Sequence, residues 1–297
     1  MDFSKYPDYL SEQIKKIREY PLKDLWGAPA FRIIDDIYFV GDRGVSSHLI
    51  TSEEGHILID TCWPSTGPYI LKSIIDLGYN PEDVEYILIS HAHIDHLGST
   101  KFIAEETGAK ICVGRDDAEA VEKGSTTVEE VERGSPFRLG LVGFETFKVD
   151  VSLGEGDIIA VGDKKVHVYH TPGHTPGCCS FGLQVEDKKR EYEAFLFGGS
   201  GVNVFMDKNI KNRMYGGTIL DFKKTLDRME DFKVDVWLGG HPFHNNMFQK
   251  LELMRKNVEP NPFIDPQGWK NFIKQAKLEL LDSDEWKRNV GKQTRIE

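Results

Sequence analysis

The alternation of apolar runs and polar breaks predicts short strands near the beginning of the chain. Turn residues separate four strand-like runs, which cover Phe31–Ile34, Ile37–Val40, Ser46–Thr51 and His56–Asp60. Such short breaks are typical of antiparallel neighbours. Pro68–Leu77 then has helical spacing and ends at Gly78, and the apolar residues 85–89 predict a buried strand.

A helix at 98–107, a strand at 110–113 and a helix at 116–123 complete the first half. The second half repeats this plan of strands followed by helices, without repeating the sequence. The strands predicted for the second half cover residues 148–151, 157–161, 164–170, 178–184, 194–198 and 234–238. The helices predicted there cover residues 217–230, 246–257 and 266–281. Two such halves are expected to pack sheet to sheet, with helices outside.

Two segments fall outside this plan. Residues 5–20 have the apolar period of a helix, so residues 1–25 are predicted to form an N-terminal helical extension before a single domain over 26–297. Residues 124–147 lose the periodic pattern and carry glycines between apolar residues. Long loops of this kind form either an active-site flap or a poorly packed surface segment, and the pattern fits both.

Composition narrows the class of protein and of partner. The 297 residues suffice for one large domain, and 39% apolar with 29% charged residues is ordinary for a soluble globular protein. The net charge of −11 argues against nucleic acid as a partner, because phosphate binding needs a basic surface. An anionic small-molecule substrate remains compatible with this charge, since a metal site would supply local positive charge.

The sequence also gives expectations about compartment and thiols. No apolar stretch approaches the roughly 18 residues that span a bilayer. The start of the chain has no basic segment followed by an apolar one, which indicates a cytoplasmic protein unless a leader was removed. No Cys-x-x-Cys pair occurs, and buried free thiols are expected at Cys62, Cys112, Cys178 and Cys179.

One segment carries most of the candidate chemistry. Ser90-His91-Ala92-His93-Ile94-Asp95-His96 directly follows the predicted strand at 85–89, so it falls at the carboxyl end of that strand. Imidazole nitrogens and carboxylate oxygens are ordinary zinc ligands. If a helix starts at Asp95, His91 and His93 can serve one metal ion while Asp95 and His96 serve a second. A chance cluster in a polar loop is the alternative, and it is rare in a chain with ten histidines.

Two further histidines also follow predicted strands. His174 lies in the turn Thr171-Pro172-Gly173-His174-Thr175-Pro176-Gly177, and His241 lies between Gly240 and Pro242. Three histidine-bearing turns that each follow a strand are expected to meet at one end of the sheets, so both are predicted metal ligands. His170 and His244 lie near these residues in sequence, where they either support the ligands or are ordinary hydrogen-bonded histidines.

Together, the His-x-His-x-Asp-His motif at 91–96, the turn of His174 and the late His241 resemble the metallo-β-lactamase superfamily. Further segments resemble class B metallo-β-lactamases of the third subclass, and these are Gly44–Ser47, Gly55–Thr61, His174–Cys178 and Asn261–Pro266. The similarity covers roughly Trp26 to Leu281. It implies an α+β fold, a four-layer αβ/βα sandwich, with a dinuclear metal site at the edge between its two sheets.

The resemblance also implies two Zn²⁺ ions and assigns residues to each. The first zinc would be bound by His91, His93 and His174, and the second by Asp95, His96 and His241. Asp60 matches a buried aspartate that supports the site without touching metal. Oxygen and nitrogen ligands also suit iron or manganese, so the choice of zinc depends on the resemblance.

The segment after the strand at 194–198 distinguishes the subfamilies. Most hydrolases of the superfamily have an aspartate there that bridges the two metals, and the second β-lactam-cleaving subclass has a cysteine. This chain has neither a carboxylate nor a thiol in Gly198–Asn203, as in the third subclass. Gly199 stands opposite the usual serine, so Ser200, one place later, is the candidate for that serine's substrate contact. Asn203 matches a position implicated in substrate binding.

The resemblance implies hydrolysis of a β-lactam ring by a metal-bound hydroxide that Asp95 orients. A lactonase, a thioester hydrolase and a phosphodiesterase are alternatives within the superfamily, and the last two normally need the bridging aspartate. Enzymes that defend a cell wall are usually exported, so in a cytoplasmic protein the alternative is that β-lactamase activity is incidental to a role on a lactone or another amide. A non-hydrolytic di-iron module is a further alternative, but the sequence shows no dinucleotide-binding fingerprint.

Overall fold

The computed structural model describes residues 28–124, 145–207 and 215–289. The helix predicted at 5–20 and most of the loop at 124–147 lie outside the described residues. Across the described part, helices and strands occur in the predicted order, and most boundaries agree within three residues. In these ranges no helix is both long and apolar enough to cross a bilayer.

A seven-stranded sheet forms the first half, and its strands follow one another in chain order. They are β1 (Phe31–Ile34), β2 (Ile37–Phe39), β3 (His48–Thr51), β4 (His56–Ile59), β5 (Val84–Ile89), β6 (Lys110–Gly114) and β7 (Val151–Leu153). The first four strands pair antiparallel, as the short breaks between them require. From β4 to β7 the pairing is parallel, so these strands end at the same edge of the sheet.

A five-stranded sheet forms the second half, in the order β12, β11, β10, β9 and β8. Its strands are β8 (Ile158–Val161), β9 (Lys164–His170), β10 (Cys179–Asp187), β11 (Arg190–Leu196) and β12 (Val236–Leu238). The only parallel pair among these described strands joins β11 to β12. Strands β9, β11 and β12 therefore run in the same direction, and the segments that follow them lie at one edge.

One strand differs from its prediction. The strand expected at 148–151, in the second half, is β7 at Val151–Leu153, and it belongs to the first sheet. It pairs parallel with β6, and Asp150 extends the contact because its carboxylate accepts a hydrogen bond from the amide of Ile111. Sheet membership depends on contacts between residues distant in sequence, which the local pattern does not encode.

The helices cover the two outer faces. They are α1 (Gly67–Asp76), α2 (Ile94–Leu97), α3 (Thr100–Thr107), α4 (Ala118–Lys123), α5 (Ile219–Glu230), α6 (Met247–Arg255), α7 (Pro266–Asp282) and α8 (Asp284–Asn289). Strand β5 shows how the layers form, because Ile87 and Ile89 face the layer of α1 and α3 while Leu88 faces the other sheet. In β11, Leu196 faces the first sheet and Phe195 packs towards α5 and α7. The fold is the expected four-layer αβ/βα sandwich.

His48 in β3 is a buried polar group, and neither of its ring nitrogens has a partner among the described residues. Burial lowers its pKa from 6.5 to about 4, against an opposing effect of the Asp60 carboxylate. Above its unfolded pKa of 6.5 this imidazole is neutral in both states and has no pH-dependent effect on stability, whereas from pH 6.5 down to about 4 it protonates only in the unfolded chain and so destabilises the fold. At pH 5 protonation of this histidine in the unfolded chain should cost about 2 kcal/mol of stability.

We therefore expect His48→Leu to be at least as stable as the wild type at pH 7, because an apolar side chain removes an unpaired polar group. Between pH 7 and pH 5 the variant should lose about 2 kcal/mol less stability than the wild type. Urea unfolding at both pH values measures this, with His167→Leu as the control at an exposed histidine. An identical pH dependence in wild type and His48→Leu would contradict the prediction.

Candidate metal centre

The structure brings the six candidate ligands together at one edge of the two sheets. Donor atoms of His91, His93 and His174 form one group, and each lies within 4.8 Å of the others. Donor atoms of a second group, Asp95, His96 and His241, meet the same limit. The rings of His91 and His96 lie 4.2 Å apart between their centroids, so the two groups are adjacent. The division into groups is the one that the resemblance implies.

Local backbone structure explains how a single short segment serves both groups. His93 is extended, with φ −115° and ψ 145°, and it is the residue from which the single-turn helix α2 begins. The carbonyl of His93 accepts hydrogen bonds from the amides of His96 and Leu97. This change from extended to helical backbone separates His91 and His93 from Asp95 and His96. The carbonyl of His96 in turn accepts a hydrogen bond from the amide of Thr61, which follows β4.

Each of the five histidine rings uses one nitrogen to contact the protein. The contacts are His91 Nδ1 with Ser90 Oγ at 3.0 Å, His93 Nε2 with Tyr215 O at 2.7 Å, His174 Nδ1 with Gly201 O at 2.6 Å, His96 Nδ1 with Asp60 Oδ2 at 2.8 Å and His241 Nδ1 with Gly44 O at 2.7 Å. A carbonyl or carboxylate can only accept, and the Ser90 hydroxyl already donates to Asp60, so each of these ring nitrogens donates and the other nitrogen is left to face the group. Metal-binding histidines are oriented in this way.

The electrostatics keep most of these rings neutral. Burial, with the neighbouring imidazoles of the site, holds the pKa of His91 and of His174 well below the usual value. Burial would raise the pKa of Asp95, but His96, His241 and His93 outweigh it and the pKa is lowered. Neutral imidazole and ionised carboxylate are the forms that bind metal. The donor set therefore fits two divalent ions.

His96 is the exception, because its pKa is raised. Burial acts to lower that pKa, but the carboxylates of Asp95 and Asp60 outweigh the effect of burial. Asp60 is fully buried and also accepts hydrogen bonds from the amide and the hydroxyl of Ser90, both at 2.8 Å. It thus links two parts of the histidine segment and stands where the resemblance places a supporting aspartate.

A cavity of about 490 Å³ opens beside the two groups of ligands. Ser200 and Asn203, the candidate substrate contacts, both line it, as does His244. Its apolar wall is formed by Trp63, Ile94, Val202, Met206 and Phe243. His244 lies against the ring of His241 at 5.0 Å, whereas His170 supports the turn of His174 through a hydrogen bond from its Nε2 to the carbonyl of Pro176.

Gly199 is in close contact with a candidate ligand. A Cβ atom at this position would lie 2.1 Å from Cδ2 and 2.5 Å from Cγ of His174. The His174 ring fills the space beside the end of β11, and the hydrogen bond to Gly201 holds it there. The His174 ring therefore leaves no room for a side chain at position 199. This steric limit explains why the chain has a glycine there and no carboxylate or thiol.

Sequence reasoning missed the backbone carbonyls of Gly44, Gly201 and Tyr215, which orient three of the rings. Every residue has a carbonyl, so no residue type signals this role. It also missed Asp117, a buried carboxylate beside the turn of His174. The sequence does contain a signal for Asp117. It closely follows the end of a strand, β6, as Asp60 follows β4 and His91 follows β5.

Comparison with known proteins agrees with the site. The family model of the metallo-beta-lactamase superfamily matches residues 40–187. BJP-1, a subclass B3 metallo-beta-lactamase of Bradyrhizobium japonicum, is 32% identical, with 93% of this chain and 99% of that chain covered and a TM-score of 0.77. LRA-12, a class B3 di-zinc metallo-beta-lactamase from an Alaskan soil metagenome, is 26% identical, with coverages of 87% and 95% and a TM-score of 0.72.

A relative with another activity also matches. An N-acyl homoserine lactonase of a Bacillus species is 28% identical over 169 residues, which cover 49% of this chain and 60% of the lactonase. The similarity to the two β-lactamase structures extends over nearly the whole of each of them, and it includes the fold as well as the sequence. The chain therefore belongs to the metallo-β-lactamase superfamily of metal-dependent hydrolases.

Proposed function

We propose that this protein is a dinuclear zinc hydrolase that opens the β-lactam ring of a small-molecule substrate. The observation that carries the proposal is a pair of adjacent donor groups at the edge of a cavity. One group consists of three histidines, and the other consists of an aspartate and two histidines. A side chain at position 199 would clash with His174, so a bridging carboxylate has no room there. The two similar structures, described as class B3 metallo-beta-lactamases, support the substrate, and LRA-12, described as a di-zinc enzyme, supports the choice of zinc.

The residues of the chain have distinct roles in this proposal. Two bound zinc ions would supply Lewis acidity and a nucleophilic water at neutral pH. The histidines hold the ions through neutral nitrogens whose directions the protein fixes. Asp95 Oδ2 lies 3.6 Å from His96 Nε2 and 3.7 Å from His241 Nε2, so an ionised carboxylate stands at the edge of the second group. There it can orient a water and accept its proton.

The apolar wall would contact the part of the substrate that does not react. Trp63 and Ile94 border the cavity beside the histidine segment, and Phe243, 69% exposed, borders it next to His241. These side chains exclude water from one side of the ligand groups. Ser200 and Asn203 supply polar groups in the same cavity, where they would orient the amide or carboxylate of a bound ring.

The experiment is hydrolysis by protein loaded with two equivalents of zinc, tested on nitrocefin, a penicillin and a carbapenem. We expect turnover that is lost after dialysis against a chelator and restored by zinc. A known metallo-β-lactamase in the same buffers controls for the assay. Protein that binds two zinc ions and turns over none of these compounds, while the control enzyme works, would overturn the proposal.

Lactone hydrolysis is a second candidate, and the charge of the cavity favours it. Among the described residues, the lining contains no lysine or arginine, and its Glu279 places a carboxylate at the opening. The carboxylate of a β-lactam antibiotic would meet no cationic side chain there, whereas a neutral lactone needs none. A neighbouring groove of about 370 Å³ has Val202, Met206 and Leu278 as its apolar residues, against which an acyl chain would lie, and polar side chains border the rest of it. The lactonase relative supports this candidate.

Glu279→Gln distinguishes the two candidates by charge. Its carboxylate is exposed and accepts a hydrogen bond from Gln275 Nε2 at 3.0 Å. Removal of the charge should lower KM for a carboxylate-bearing β-lactam about two- to fivefold at low salt, with less effect at high salt. KM for a neutral acyl lactone should not change. Glu82→Gln, an exposed site before β5, makes the same change in net charge and is the control.

A further inference from the structure

Asp117 is a fully buried carboxylate in the short turn Arg115–Asp117 after β6. It accepts four hydrogen bonds from three segments of the chain. The donors are Ala92 N at 2.9 Å and Thr175 Oγ1 at 2.6 Å on Oδ2, and Gly177 N at 2.7 Å and Tyr215 OH at 3.0 Å on Oδ1. A buried carboxylate with four donors is a strong, directional anchor.

Each donor belongs to a segment that carries, or directly contacts, a candidate ligand of the first group. Ala92 lies between His91 and His93, and Thr175 directly follows His174. Gly177 ends the same turn as Thr175. Tyr215 shares its hydroxyl between Asp117 Oδ1 and the carbonyl of Asp116, while its own carbonyl accepts the hydrogen bond from His93 Nε2 at 2.7 Å. The four donors therefore lie beside all three histidines of the first group, and none of them contacts a ligand atom of the second.

The two turns that Asp117 joins come from different sheets. The segment with His91 and His93 follows β5 of the first sheet, and the turn with His174 connects β9 to β10 of the second. Across this junction His93 Nδ1 and His174 Nε2 lie only 2.9 Å apart. A backbone hydrogen bond from Cys179 N to Ser90 O, at 2.8 Å, is a second link at the same place.

We propose that Asp117 is the positioning residue of the first metal, because its carboxylate sets the distance between the His91–His93 segment and the His174 turn. This inference depends on the metal assignment in the proposed function. Asp60 contacts His96 Nδ1 of the second group directly and reaches His91 of the first group only through the Ser90 hydroxyl. Two buried carboxylates, on either side of β5, thus orient the ligands of the two metals.

Asp117→Asn is the most direct test. The amide has the volume of the carboxylate but only one acceptor oxygen, so its NH2 group faces two donors that lose their partner. We expect the affinity of the three-histidine group for zinc to fall by roughly 10- to 100-fold, with the second group unchanged. Stepwise titration with Co²⁺, followed by absorption, and zinc competition with a chelator separate the two groups by their ligand types.

Two further variants keep the result interpretable. Thr175→Val removes one of the four donors at nearly constant shape, so a smaller decrease at the same metal is expected even if Asp117→Asn folds poorly. Asp116→Asn changes the neighbouring carboxylate, which is exposed and lies 3.7 Å from His170 Nε2, and should leave both affinities as in the wild type.

The outcomes separate this inference from the proposed function. Wild-type protein that takes up no metal would overturn the proposed function and the metal assignment with it. Wild-type protein with two metals, together with an Asp117→Asn variant that binds both as tightly, would overturn the role of Asp117 alone. Equal weakening of both metals would also overturn that role, because it would show a general loosening of the fold. If metal binding is normal but no β-lactam is hydrolysed, the proposed substrate is wrong and the role of Asp117 in positioning the first metal is unaffected.

Discussion

His174→Ala should leave a folded protein that binds one zinc ion instead of two and hydrolyses its best substrate at least about 100-fold more slowly. Among the described residues, His174 is the only member of its group that the second sheet contributes. Without it, two imidazoles remain, and they belong to a single short segment. Removal of the buried ring leaves the Gly201 carbonyl without this donor, but the hydrogen bonds between backbone groups remain, so the fold should survive.

Metal analysis after dialysis and kcat/KM for the best substrate of the β-lactam and lactone panel measure this effect. His167→Ala is the matched control, because His167 lies in β9, before the same turn, and is exposed. It should bind two zinc ions and retain full activity. If His174→Ala retained two zinc ions and activity within about threefold of the wild type, the assignment of the first metal would be wrong.

Gly114→Ala should destabilise the protein by at least about 3 kcal/mol, a decrease in Tm of roughly 6–10 °C. A Cβ at the end of β6 would lie 1.8 Å from the carbonyl oxygen of Gly177 and 3.0 Å from Cys179 Sγ. The carbonyl belongs to the backbone and cannot rotate away as a side chain can. Relief of the clash requires β6 to move from the turn that carries His174, so zinc binding should weaken as well.

Thermal and urea unfolding of the metal-free protein measure the loss in stability. Gly154→Ala is the control, since its new Cβ would meet only side-chain atoms that can move, the end of Arg115 at 3.3 Å and Asp157 Oδ2 at 3.7 Å. We expect that variant to remain within about 1 kcal/mol of the wild type. A similarly small effect for Gly114→Ala would contradict the prediction, because it would mean that the two sheets can separate at this edge without loss of stability.

The order of strands and helices could be predicted because the layers impose a local pattern. Strand β5 alternates between two apolar layers, and both neighbours of Leu88 face the opposite layer from it. The sheet to which β7 belongs could not be predicted, since its pairing with Cys112–Gly114 joins residues about forty positions apart. Local pattern predicts that a segment is a strand, and distant contacts decide its neighbours.

The candidate ligands could be found because their residue types are rare and their spacing is specific. The groups that orient them were harder to find. A carbonyl such as that of Gly44 is chosen by the course of the backbone, and an aspartate such as Asp117 is one of many acidic residues in the chain. What distinguishes Asp117 is its burial among four donors, which exists only after three distant segments have come together.

The close packing of His174 against Gly199 also constrains how such a site can diverge. Any side chain gained at position 199 would push aside His174, a candidate ligand, before it could acquire a role of its own. A descendant could therefore reach the bridging-aspartate arrangement only through an intermediate with an impaired site, or by two changes at once. For protein engineers, the His174 turn has to be rebuilt before a new ligand is introduced at position 199.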